Sequence, residues 1–185
     1  MVKDVLNDAE ARMKKTVELF RKELTGIRAG RANAALLERI TVDYYGVPTP
    51  IPQMSTVTTP EARLMVIQPW DKTTLGAIEK AILKSDLGIT PASDGSVIRL
   101  VFPPLTQERR TELVRQVKKK TEEEKVSIRN IRREANELLE VMKGEGEISE
   151  DDFHRGLDEV QKLTDKYSRE LDQIAEEKEK EIMTV

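Results

Sequence analysis

The chain has 185 residues, of which 38% are apolar, 35% charged and 4% aromatic, a balance that suits one compact domain or two small ones and favours helices with narrow apolar seams over a thick core. It contains no cysteine, which excludes a disulfide framework and a thiolate metal site, and nothing calls for an oxidising compartment, so a cytoplasmic setting is expected. The N-terminus turns polar within four residues and no apolar run approaches the ~18 residues of a membrane span, so neither a signal peptide nor an anchor is expected.

Taken in chain order, residues 5 to 27 place Leu6, Ala9, Met13, Val17, Phe20, Leu24 and Ile27 three or four apart, which predicts an amphipathic helix weakened at Gly26 and Gly30. From Arg39 to Tyr45 the alternation of Ile40, Val42 and Tyr44 with Thr41, Asp43 and Tyr45 predicts a strand. Gly46, Pro48, Pro50 and Pro52 are expected to form a turn region. Val57 and the run Leu64 to Ile67 offer two more strands. Residues 73 to 84 read as a short helix with Leu75, Ile78, Ile82 and Leu83 on one side, ended by Gly88. Asp94 and Gly95 form a turn before a last strand, Val97 to Val101, stopped by Pro103 and Pro104.

Thr106 can cap the next helix, which no proline or glycine interrupts before Gly144. Its expected seam is Val117, Thr121, Glu124, Ile128, Ile131, Ala135, Leu138 and Met142. Ser149 and Asp152 then suggest a capping box for a helix with Phe153, Leu157, Val160, Tyr167, Leu171 and Ile174 on its seam. Two long seams joined by a short loop should pack antiparallel with the N-terminal helix as third partner. The expectation is an α+β chain: a long antiparallel three-helix bundle from residues 1–29 and 105–185, with a small β/α/β domain of residues 30–104 inserted. The two crossings, near 29–31 and 103–105, make Gly30, Arg31, Pro103, Pro104 and Leu105 the candidate hinge.

The net charge of −3 conceals a separation along the chain: residues 109–133 carry ten basic and four acidic groups, whereas 134–185 carry seven and seventeen. On a helix, Arg115, Lys118, Lys125, Arg129, Arg132 and Arg133 fall within an arc of about 100°, interrupted by Glu122. Arginine forks grip phosphate oxygens two at a time, so such a stripe fits an RNA backbone. The alternative is a solvated face neutralised by acids of the last helix. Arg28 and Arg31 add charge near the junction, although basic groups also complement a helix C-terminus.

No catalytic set is visible. His154 is the single histidine, so neither a triad nor a multi-histidine metal site can be built within the chain, and it is expected on the surface. Glu150, Asp151 and Asp152 could attract a cation, but first-turn acids stabilise a helix without one. Gly144 and Gly146 lack the spacing and the Lys-Ser/Thr pair of a phosphate loop. Trp70, Tyr44 and Tyr45 lack the paired pattern of an RNA-recognition sheet and are expected in the core. An enzyme, a metal site and a cofactor are therefore not expected. Two rivals to RNA binding are a coiled-coil adaptor or chaperone whose insert binds a protein, and a carboxylate hydrolase using Asp151 or Asp152.

Six strings occur in order: Ile27-Arg28-Ala29-Gly30-Arg31-Ala32; Tyr44-Tyr45-Gly46 with Thr49-Pro50; Glu79-Lys80-Ala81-Ile82 with Ser85-Asp86-Leu87-Gly88; Pro103-Pro104-Leu105-Thr106 with Glu108-Arg109-Arg110; Arg129-Asn130-Ile131-Arg132-Arg133-Glu134-Ala135; and Gln161-Lys162-Leu163-Thr164-Asp165. With them the chain resembles, over essentially its whole length, the bacterial-type ribosome recycling factor family. Gln107 departs from the pattern, where acidic residues are common, as does the variable loop from Ala92 to Ser96. The resemblance implies an L-shaped, tRNA-like outline and a monomer. It also implies binding to the post-termination ribosome through large-subunit ribosomal RNA and, with the GTPase elongation factor G, splitting of that ribosome into subunits with release of mRNA and tRNA. GTP would be used by the partner and by no site on this chain. Arg129 and Arg132 fall on the family's RNA-contacting positions, Arg110 and Arg133 follow, and Arg28, Arg31, Lys118 and Lys125 complete the candidate surface.

Overall fold

The computed structural model describes residues 1–27 and 31–184. Arg28 and Gly30, named above for RNA contact and hinge, lie outside the described residues. The chain divides into two compact units, Met1–Leu24 with Thr111–Glu181, and Thr25–Arg110 with Ile182–Val185.

The first unit is built on three helices: α1 (Val2–Thr25), a long helix Gln107–Gly144 and a last helix Glu150–Met183. The last two are α3 and α4 below, since a short helix α2 (Leu75–Lys84) precedes them in the insert. Cross-helix pairs set the directions. Arg12 meets Glu134 at 2.6 Å and Glu23 meets Lys120 at 3.0 Å, so numbers rise on α1 as they fall on α3. Lys125 meets Asp172, and Arg132 meets Gln161, so α3 and α4 are antiparallel as well.

The buried stripe of α1 is Ala9, Met13, Val17, Phe20 and Leu24, within the expected seam. On α3 it is Leu113, Val117, Thr121, Ile128, Ile131, Ala135 and Leu139. Here the expected seam drifts: Glu124 and Met142 are only partly buried, and the buried leucine is Leu139, while Leu138 is 52% exposed. A strict 3,4 count drifts off the real face by one residue, because the helix turns by 3.6 residues and not 3.5. Thr121 and Thr164 are buried without an apolar surrogate because each hydroxyl donates to the carbonyl one turn back, Val117 at 2.6 Å and Val160 at 2.8 Å.

The helix ends follow the expected chemistry. Thr106 Oγ1 accepts from the Arg109 N–H at 3.1 Å and Ser149 Oγ from the Asp152 N–H at 3.0 Å. After α3, the Glu147 N–H donates to the Met142 carbonyl and the Gly146 N–H to that of Lys143, a Schellman closure that needs the left-handed φ of +74° at Gly146. At the start of α4 the three helices converge on Gly156: a Cβ there would lie 3.0 Å from Leu139 Cδ1 and 3.3 Å from Val2 Cγ1.

The insert unit holds six short strands, β1 (Thr41–Tyr44), β2 (Val47–Pro50), β3 (Ser55–Glu61), β4 (Leu64–Pro69), β5 (Ala92–Ser93) and β6 (Ile98–Val101). β1 and β2 form a hairpin. The other four make an antiparallel sheet in the order β3-β4-β6-β5. In the register Met65↔Leu100 and Ile67↔Ile98, all four side chains are fully buried on one face, and α2 adds Ile78 and Ile82 to the same core.

The stretch expected as a turn region is strand β2 despite Pro48 and Pro50, and the geometry explains why. The two-residue turn Tyr45-Gly46 has φ of +51° and +82°, as a type I′ hairpin requires. Hydrogen-bonded pairs then alternate from Tyr44↔Val47, which leaves Asp43↔Pro48 and Thr41↔Pro50 as the non-bonded pairs where an N–H is not needed.

Candidate nucleic-acid interface

The basic stripe lies along α3. Arg133 is exposed, Arg129 and Arg132 are half-exposed, and Lys118 is exposed while Lys125 is partly covered. Arg110, in the first turn of α3, is partly buried with its Nε shielded from solvent. Arg31 is exposed.

The stripe is not uniformly free, and its cations differ in what holds them. Lys125 Nζ lies 2.6 Å from the Asp172 carboxylate of α4, with the lysine side chain only 25% exposed. Lys118 and Lys125 share a groove of about 290 Å³ with Thr121, Glu122, Asp172, Ala175, Glu176 and Glu179. At that end carboxylates of α3 and α4 stand beside the two lysines.

Toward the other end the chemistry changes. Arg129 is paired with Glu122 of its own helix at 2.7 Å, both side chains well exposed, and such a pair contributes little and is readily exchanged for a phosphate. Arg132 reaches the uncharged Gln161 Oε1 at 3.4 Å, and Gln161 Nε2 donates to Asp165 at 2.9 Å. Arg132 is thus oriented by a neutral amide, and among the described residues no carboxylate forms an ion pair with it. Sequence reasoning misses Gln161 and Asp172 as partners of the stripe; counting equal distances from the α3–α4 turn would pair them with it.

Other side chains sit elsewhere than the sequence suggests. Tyr45 and Trp70, expected in the core, are 83% and 67% exposed, and Tyr44 alone packs against the insert core. The left-handed hairpin turn directs Tyr45 outward, edge-on to Tyr44 at 4.6 Å, and Trp70 leaves the sheet at the end of β4 with its indole N–H donating to Thr56 Oγ1 at 2.8 Å. His154 is exposed as expected, edge-on to Phe153 at 5.3 Å. Glu150, Asp151 and Asp152 are exposed first-turn acids of α4, and among the described residues no group of three or more His, Asp or Glu could hold a metal ion.

At the hinge candidates, Pro103 and Pro104 are exposed and Leu105 is buried. Within the insert unit, the entering and leaving segments are pinned to neighbouring residues of one turn. The Ala32 N–H donates to the Ala62 carbonyl and the Phe102 N–H to that of Arg63, each at 2.7 Å. No helix among the described residues is long and apolar enough to cross a membrane.

Residues 20–183 match the family model described as Ribosome recycling factor. Among curated relatives, the ribosome-recycling factor of Syntrophomonas wolfei is 60% identical and that of Heliobacterium modesticaldum 62% identical, each over 185 residues and the whole of both chains. A solution structure of the ribosome recycling factor superposes with a TM-score of 0.85 at 49% identity, covering 100% of this chain and 98% of the other. A second structure, of models for the T. thermophilus ribosome recycling factor and the E. coli elongation factor G bound to the E. coli post-termination complex, matches with a TM-score of 0.70 at 45% identity and full coverage of both chains. By these matches and its α+β architecture, this chain belongs to the ribosome recycling factor family, non-enzymatic factors of protein biosynthesis.

Proposed function

We propose that the bundle unit grips large-subunit ribosomal RNA through the arginine end of α3, and that the protein, with elongation factor G, splits the post-termination ribosome into subunits and frees mRNA and tRNA. The carrying observation is that, among the described residues, no carboxylate pairs with Arg132 or Arg133, while Arg129 is paired with the exposed Glu122. Bidentate arginine forks on one helix face suit successive phosphates. The partner assignment is supported by the matched structure in which a recycling factor and elongation factor G share a post-termination complex.

In this mechanism GTP is hydrolysed by the partner and the chain acts as a monomer in the cytoplasm without a cofactor of its own. The grip at α3 holds one unit while the crossings near 29–31 and 103–105 let the other respond to the GTPase. Pinning of Ala32 and Phe102 to the adjacent Ala62 and Arg63 supports a hinge whose two strands move together. Arg28, Arg31 and Arg110 add positive charge near those crossings.

The test is a splitting assay on purified post-termination ribosomes with elongation factor G and GTP. Arg132→Ala should abolish or severely slow splitting while its helical circular dichroism stays that of the parent. Full splitting by that variant would overturn the grip. Binding to large subunits should also weaken steeply with salt, whereas a protein-binding adaptor docking through apolar contacts would not show that dependence.

A further inference from the structure

Helix α4 faces the basic stripe with a graded border. Opposite Arg132 it presents Gln161; opposite Lys125, Asp172; and beyond that, Glu176 and Glu179 line the groove shared with Lys118. Lys125 and Arg132 are seven residues apart on α3 and occupy nearly the same angular position, so their exposure to an approaching phosphate would be alike were it not for what α4 sets beside each. One receives a carboxylate at 2.6 Å and is largely covered; the other receives a neutral amide at 3.4 Å that is itself braced by Asp165 at 2.9 Å.

Resting on the RNA-binding reading above, we propose that α4 sets the limits of the RNA footprint: Asp172 withdraws Lys125 from phosphate, and Gln161 positions Arg132 while leaving its charge intact. Charge balance at short range separates the two cations. A lysine bridged to a carboxylate in a groove must give up that partner to meet a phosphate, whereas an arginine whose Nη1 is held by an amide oxygen gives up no ion pair when it does so. Gln161 is thus a positioning residue and Asp172 a specificity residue. Together they confine firm contact to the arginine end and keep the long helix from binding any polyanion along its length.

Two nearly isosteric substitutions test this in opposite directions. Asp172→Asn releases Lys125, so log–log salt plots of binding to purified large ribosomal subunits should steepen by about 0.7 to 0.9, one phosphate's worth. Binding to an unrelated RNA hairpin should tighten more than binding to the subunits. Gln161→Glu neutralises Arg132, so the slope should become shallower by a similar amount and splitting should slow. Introduced into a Lys125→Gln background, Asp172→Asn should add nothing to the slope. Thermal melts followed by circular dichroism confirm that each variant keeps its helices. If the parent shows a salt slope that Arg132→Ala reduces, yet Asp172→Asn and Gln161→Glu leave slope and hairpin binding unchanged, α4 sets no limit and the proposal falls while the RNA reading stands. If the parent shows no salt slope at all, the RNA reading falls and takes the proposal with it.

Discussion

The bundle and the insert bury their apolar residues in different ways, and the difference explains how each is available for function. The insert concentrates Leu37, Ile51, Met65, Ile67, Ile78, Ile98, Leu100 and Phe102, all fully buried, in one cluster between sheet and α2. The bundle spreads its core along three stripes one or two side chains wide, fills gaps with Thr121 and Thr164, and closes at Gly156. A stripe core leaves most of each helix surface free to carry charge, as the proposed grip on an RNA backbone requires. A cluster core makes the insert a firm body whose surface is set by strand ends and turns.

The largest expected effect probes the cluster. Leu100→Ala should cost about 2 to 5 kcal/mol, because a fully buried leucine is lost from the cluster that the sheet and α2 build together. Trp70, the single tryptophan, sits in the insert and reports on it. Its fluorescence transition in urea should move to lower denaturant while the helical circular dichroism transition moves less. Equal shifts of both would show that the two cores melt as one.

The reciprocal change probes the stripe. Gly156→Val would push against Leu139 and Val2 where a Cβ already meets them at 3.0 and 3.3 Å, and overpacking of this kind costs about 1 to 3 kcal/mol. Here the circular dichroism transition should shift more than the Trp70 signal. Gly156→Ala should do far less, since the nearest contact is the end of a flexible leucine and alanine favours helix.

Smaller effects come from titration. Burial and the neighbouring Glu23 push the Glu124 carboxyl above the ordinary carboxylate range. Its folded form therefore holds a proton more tightly than its unfolded form, so its contribution favours the bundle at acid pH and is lost as pH rises through the raised value. Glu124→Gln should stabilise the bundle slightly at about pH 7, with the gap from the parent closing toward about pH 4. A gap that widened on acidification would refute this sign.

In the insert the sign is reversed. The N–H groups of Val97 and Ser96, followed by Arg99, hold the Asp94 carboxyl at about 2. Its contribution is present above the ordinary carboxylate range and fades as pH falls toward about 2. Asp94→Asn should thus cost a little stability at neutral pH, read by Trp70 fluorescence, with the difference shrinking as the parent is acidified toward that value.

Much of this architecture is legible in the sequence because it is local. Caps at Thr106 and Ser149, the glycine closure at Gly146 and the seam of α1 depend on residues within one or two turns of each other. The stripe of arginines on α3 is likewise a matter of helical angle. Misplaced features depend on what stands opposite. Pro48 and Pro50 enter a strand only because the hairpin register places them at non-bonded positions, and Tyr45 and Trp70 lie outside the core because the turn and strand end carry them there.

The sequence by itself determined where positive charge gathers and which face of α3 carries it, since a helix maps spacing onto angle with little help from its surroundings. Only the tertiary structure decided what each of those charges meets. Lys125 and Arg132 look equivalent along α3, and what separates them is a carboxylate and an amide on another helix, brought beside them by antiparallel packing. Charge–charge interaction depends on separation in space, and residues 125 and 172 are distant in the chain but 2.6 Å apart in the fold.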